Sequence, residues 1–133
     1  MIVNNSAFKA DFAKLLKKAG DKADLVVRKT ALELQKSMIQ MSPVDTGRFK
    51  GNWQCGIGAI NATNTDAANS DALGRTGAVL EGWKAGQTIW LTNSMVYANR
   101  LEYGWSKQAP GGVVRLTVQD FSAKVKTAVE SIK

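Results

Sequence analysis

Histidine is absent from this chain, cysteine occurs once, at Cys55, and proline only twice. Without histidine, the commonest metal ligand and the side chain best suited to proton transfer near neutral pH are missing. One cysteine excludes an internal disulfide, and no zinc-like cysteine and histidine spacing exists. Neither a Gly-rich phosphate loop nor a Ser-His-Asp set can be assembled. No apolar run approaches the roughly 18–20 residues that span a bilayer, and Met1-Ile2-Val3-Asn4-Asn5 lacks the basic start and apolar stretch of a signal peptide. The expectation is a protein made and kept in the cytoplasm, with no cofactor, no metal site and no membrane contact.

What is present reads as an ordinary folded domain. Apolar residues make up 44% and charged residues 22% of 133 positions, near globular averages, so neither wholesale disorder nor a membrane protein is indicated. The length fits one domain, 1–133, that buries roughly two thirds of its unfolded surface. Net charge is +7 and uneven: residues 1–50 carry ten Lys and Arg against five Asp and Glu, residues 51–93 two against three, and residues 94–133 six against three. Basic ends and a near-neutral middle favour nucleic acid or an acidic protein surface as a partner, through Coulomb energy and counterion release. Lysines solvated on helix faces are the blander reading.

From Ser6, a good N-cap residue, Phe8, Phe12, Leu15, Ala19, Ala23, Val26, Thr30, Leu34, Met38 and Met41 recur every three or four positions. This predicts one long amphipathic helix, bent or broken at Gly20-Asp21, with Lys14, Lys17 and Arg28 facing away from the core. Ser42-Pro43 ends it, because the residue before proline leaves the helical region and proline cannot donate the next backbone bond. Pro43-Val44-Asp45-Thr46-Gly47-Arg48 then reads as a turn. Asp45 and Thr46 brace it through nearby amides, and Gly47 permits a positive backbone angle.

Partial alternation over 49–60 predicts a strand, with Phe49, Gly51, Trp53, Cys55 and Ile57 on one side. Residues 61–74, rich in Asn, Thr and Ala, have little to bury, so a long exposed loop or arm is expected across about 59–76, ordered against a neighbouring molecule. A short helical turn follows at 79–83, and a second strand at 87–93. Tyr97-Ala98-Asn99-Arg100-Leu101-Glu102-Tyr103-Gly104 looks like a short helix closed by Gly104. Val114, Val118, Phe121, Val125, Val129 and Ile132 mark a terminal helix. The architecture is α+β: a long N-terminal helix and a C-terminal helix packed on a small, mainly antiparallel β-sheet.

Candidate chemistry is thin. Asp45 and Glu102 are the one carboxylate pair worth naming for glycoside cleavage, and nothing in the sequence brings them together. Trp53, Trp83, Trp90 and Trp105, near Arg48, Lys84 and Lys107, could stack on single-stranded bases; Trp53 and Trp90 lie within the proposed strands and are more simply core or subunit-interface residues. Cys55 shares Trp53's face and reads as a small buried hydrophobe. Tyr97, Arg100, Glu102 and Tyr103 suit either a local cluster or a subunit contact. No catalytic residue is predicted.

Two segments carry a family resemblance. Ser42-Pro43-Val44-Asp45-Thr46-Gly47-Arg48-Phe49 and Thr92-Asn93-Ser94-Met95-Val96-Tyr97-Ala98-Asn99-Arg100-Leu101-Glu102-Tyr103-Gly104 resemble the tail-component, or tail-completion, proteins of lambdoid long-tailed bacteriophages. Order and spacing agree across most of the chain outside about residues 58–76. Val96 stands where many relatives carry proline, and the Asn/Thr/Ala-rich middle is individual.

The resemblance implies a structural virion protein without cofactor or catalysis. Such a protein assembles in the host cytoplasm and forms a neck ring at the head-to-tail junction that completes the tail and joins it to the head. Implied partners are copies of itself, as a hexamer or a dodecamer, neighbouring neck and tail-tube proteins, and DNA passing through the lumen. Pro43, Asp45, Thr46, Gly47, Arg48, Tyr97, Arg100, Glu102, Tyr103 and Gly104 are the expected structural or interface residues. The alternatives are a terminator ring capping the tail tube and a basic DNA-binding protein.

Overall fold

A computed structural model describes residues 6–42, 47–65, 70–95, 114–120, 123–125 and 127. Helix α1, Ser6–Ala19, is separated from helix α2, Ala23–Met41, by a 3-10 turn at Gly20–Lys22. The expected interruption therefore falls at Gly20, where φ is 60°. Helix α2 ends where the pre-proline rule places its end: Ser42 is extended, at φ −68° and ψ 133°.

Gly47 sits at φ 82° and opens a single helical turn, α3, Arg48–Gly51. Strand β1, Trp53–Ile57, follows. It pairs antiparallel with β2, Ile89–Asn93, in a register that sets Trp53 opposite Asn93, Cys55 opposite Leu91 and Ile57 opposite Ile89. Between the strands lies helix α4, Ala72–Leu80. Helix α5, Val114–Gln119, packs on α2 through Val114 against the Met38 cluster.

The α+β class holds, and four local expectations change. The strand predicted from Phe49 begins only at Trp53: the Asn52 side chain donates to the Arg48 carbonyl at 2.6 Å and the Asn52 amide to the Phe49 carbonyl at 3.1 Å, closing a helical turn first. The exposed segment ends at Asp71, whose carboxylate caps α4 by accepting from the Gly74 amide at 2.9 Å. Ala72, read as loop, is a core residue, and the helical turn read at 79–83 is largely the end of a longer helix. Arg28 does not face away: its Nη2 donates to the Trp83 carbonyl at 3.0 Å, and its guanidinium lies 5.7 Å from the Trp83 ring centroid.

The core has two parts. Met38, Phe49, Trp53, Ala72 and Met95 form one cluster, flanked by Ile39, Met41, Leu91 and Val114. Ala31, Cys55 and Leu80 form the other, flanked by Leu32, Val79 and Ile89. Burying side chains such as Met38 and Phe49 stabilises the fold by about 1.5–3 kcal/mol each. Both clusters lie on the sheet face that α2 and α4 cover, because Trp53, Cys55, Leu91 and Ile89 alternate onto that side.

The opposite face of the sheet carries Gln54, Gly56, Trp90 and Thr92. Residues 58–65 cross part of it. A Cβ on Gly56 would run into the Ala59 carbonyl and come within 3.0 Å of the Asn61 amide, so only glycine lets the segment lie that close. Gln54 Nε2 donates to the Thr63 carbonyl at 3.2 Å, and Thr92 Oγ1 to the Asn61 carbonyl at 2.9 Å. Asn52 holds Thr65 by two bonds, of 2.7 and 2.9 Å. Residues 61–65 are thus strapped to the sheet instead of standing away as an arm.

Candidate functional site

The described parts of the two motif segments, residues 42 and 47–49 of the first and 92–95 of the second, converge. Ser42, at the end of α2, donates its hydroxyl to the Met38 carbonyl at 2.7 Å and accepts from the Trp53 indole N–H at 2.8 Å. Helix end and strand start are therefore locked through one buried hydroxyl. Asn93, early in the second segment, donates from Nδ2 to the Phe49 carbonyl at 2.8 Å and accepts from the Met95 amide at 3.1 Å. Phe49 packs edge-on against Trp53, with ring centroids 5.9 Å apart. The turn after α2 and the end of β2 form one junction, with Trp53 and Met95 beneath it.

A cationic brace lies beside it. Arg75, on α4, donates from Nη2 to the Gly51 carbonyl at 2.6 Å and to the Trp53 carbonyl at 3.1 Å. Its Nη1 reaches Ser70 Oγ at 3.0 Å and its Nε reaches Gln54 Oε1 at 3.3 Å. Ser70 Oγ in turn donates to the Gly51 carbonyl at 2.6 Å. The planar guanidinium binds several acceptors in fixed directions, which a lysine ammonium cannot do in the same plane. Behind it, fully buried Gln35 donates to the Gln54 carbonyl at 3.2 Å and to Thr76 Oγ1 at 3.1 Å.

Of the residues singled out from sequence, Gly47 is buried in the left-handed region and Arg48 is exposed at the first position of α3. Pro43, Asp45, Thr46, Tyr97, Arg100, Glu102, Tyr103 and Gly104 lie outside the described residues, as does the Asp45–Glu102 pair. Trp53 is core; Trp83 is buried and donates from Nε1 to the Gln87 carbonyl at 2.9 Å; Trp90 is exposed. Cys55 is buried, and desolvation raises its pKa, which disfavours a reactive thiolate. Among the described residues no group of three or more His, Cys, Asp or Glu is placed to hold a metal, and no helix is long and apolar enough to cross a membrane.

Sequence reasoning missed Asn52, Asn93, Arg75 and Gln35. A signal existed for Gln35, one position beyond Leu34 in the helical stripe, and for Arg75, the lone arginine between positions 49 and 99.

A comparison with protein families matches residues 6–104 to the family described as "Bacteriophage HK97-gp10, putative tail-component". The chain belongs to this family. The match spans α1 and α2, the junction, both strands and the whole of the second motif segment. A member of the HK97-gp10-like family is a structural component of the phage tail, which places it in the virion in contact with other tail and neck proteins. No match was found among curated proteins or among solved structures.

Within the HK97-gp10-like frame, the junction serves architecture. Its polar groups are occupied by one another: Asn52, Asn93 and Arg75 spend their hydrogen bonds on backbone carbonyls and amides. Buried polar groups arranged this way fix one geometry for the backbone.

Proposed function

We propose that this chain is a ring-forming subunit at the head-to-tail junction, completing the tail and joining it to the DNA-filled head. The observation that carries the reading is the family match through residue 104, taken with the convergence of both motif segments on one braced junction. A ring of identical copies needs a rigid body with different surfaces on its two sides, and closure follows from the rotation between neighbours. The bonds from Ser42 to Trp53 and from Asn93 to Phe49 supply that rigidity. A hexamer suits the symmetry of a long tail, and a dodecamer that of the portal side.

A nonsense mutation in the gene, grown without suppression, is the direct test. The reading predicts DNA-filled heads and separate tails in one lysate, and joined particles on complementation with the wild-type chain. Fully joined, infectious particles without the protein would refute it.

The exposed lysines of α1 support a second contact. Lys14, Lys17 and Lys18 all face solvent, and such a row could meet DNA passing through a ring lumen. Binding of the isolated chain to bare duplex with a steep dependence on salt would favour DNA binding as its primary role.

A further inference from the structure

One face of the sheet is built from uncharged residues, with Arg75 reaching only its Gln54 edge. Residues 51–65 and 85–99 contain no Asp, Glu, Lys or Arg, in a chain whose net charge is +7. The strand register brings residues 53–57 and 89–93 of these segments together: Gly56 lies opposite Trp90 and Gln54 opposite Thr92. Gly56, Trp90 and Thr92 point away from the helices, and Gln54, at the edge of the same side, accepts from Arg75 of α4 at 3.3 Å. The segment strapped over this face, residues 58–65, is uncharged as well.

Two large apolar side chains are left showing there. Trp90 is 38% exposed and Ile60 55%. Trp90 faces a glycine across the strand pair, so no cross-strand side chain covers its ring. The Thr92 bond to the Asn61 carbonyl holds the chain next to Ile60 against the same face. The backbone beneath is fixed by Gln54 and Asn52, so the patch is preorganised.

We propose that this uncharged face, centred on Trp90 and Ile60, is where one copy of the chain docks against the next copy in the ring. The proposal rests on the ring reading and names its surface. Copies that each carry +7 repel, and repulsion between cations is felt within about 8 Å at physiological salt. A contact through the lysine-bearing helices would bury like charges against each other, each with a desolvation cost. A contact that uses this face brings no lysine from its own side of the interface and covers a tryptophan, a residue type enriched among energetically dominant interface positions. Interface cores are depleted of charge in the same way. In a closed ring the contact is head-to-tail, so this face meets a different surface of the neighbour.

The test uses assembled particles. A benzophenone-maleimide attached to Ile60→Cys is activated by light in purified phage; Cys55 is 3% exposed and does not compete for the label. The expected product is a covalent dimer of this chain. In parallel, Trp90→Asp should lower incorporation into particles at least tenfold while its thermal unfolding stays close to wild type, and Trp90→Phe should restore most of it. A crosslink only to a different virion protein, no crosslink with the chain present in the particle, or wild-type incorporation of Trp90→Asp would each overturn the surface while leaving the ring reading in place. Absence of the chain from particles would overturn both.

Discussion

Asn93 reaches across from the end of β2 and donates its side-chain amide to the Phe49 carbonyl at 2.8 Å. That bond joins two parts of the chain 44 residues apart and ties the described residues of the two family segments together. The Phe49 carbonyl also accepts the Asn52 amide, at 3.1 Å, so losing Asn93 weighs most on the Met95 amide, which turns to its Oδ1. Asn93→Leu should cost about 1–3 kcal/mol, seen as a fall in Tm of about 5–10 °C. Asn93→Asp is nearly isosteric, but its carboxylate cannot donate to Phe49. It should be at least as damaging at pH 7 and should partly recover on acidification, when the protonated acid can donate. Thermal unfolding at pH 7 and pH 4, each compared with wild type, checks both.

Gly47 holds φ 82° at the start of α3 and is buried. A left-handed residue with a side chain costs roughly 1–2 kcal/mol, and asparagine tolerates the region best. Gly47→Val should therefore destabilise the chain more than Gly47→Asn, since a β-branched side chain also needs space in a buried position. The ordering should appear in denaturant midpoints. It should appear again in particles, where the valine variant yields unjoined heads and tails and the asparagine variant retains partial infectivity.

Arg75 satisfies the Gly51 and Trp53 carbonyls together with Ser70 and Gln54. Arg75→Lys keeps the charge and loses the planar fork, so it should behave more like Arg75→Met than like wild type. Both should lower stability by about 2–3 kcal/mol, within the range for hydrogen bonds from a charged group. A lysine variant as stable as wild type would show that charge, and not geometry, is what the brace requires.

Cys55 supplies a pH dependence. Burial raises its thiol pKa above that of the unfolded chain, so the fold favours the neutral form. The associated stability is complete below the unfolded value, about 8.5, and declines as pH rises from there toward the folded value. Cys55→Ser or Cys55→Ala should flatten this component of the profile at alkaline pH, above the unfolded thiol value. A thiol reagent at pH 8 should label the native chain slowly and the unfolded chain at once.

Periodicity revealed α1, α2 and their break because apolar residues recur along one side of both, and Ser42-Pro43 has few conformations available. The turn at Gly47 was legible for the same reason. What stayed hidden were contacts across sequence distance. Phe49 carries strand-like apolar character, yet Asn52 closes a helical turn over it. Asn61, Thr63 and Thr65 are loop formers by type, and only the positions of Thr92, Gln54 and Asn52 across the fold show that they are bonded to the sheet. Arg28 lies on what the helical wheel makes a solvent side, until Trp83 packs there. Ala72 carries no sign of its burial in the sequence, because a single alanine gives no periodic signal and its place in the core depends on where α4 lands.

The central claim, a structural ring at the head-to-tail junction, is tested most directly by cryo-electron microscopy of the intact particle at side-chain resolution in the neck. A symmetric ring between portal and tail tube is expected, with subunit density that fits α2, α4 and the β1–β2 pair. Density there that cannot hold this fold, or particles in which the chain is found at another level of the tail, would contradict it.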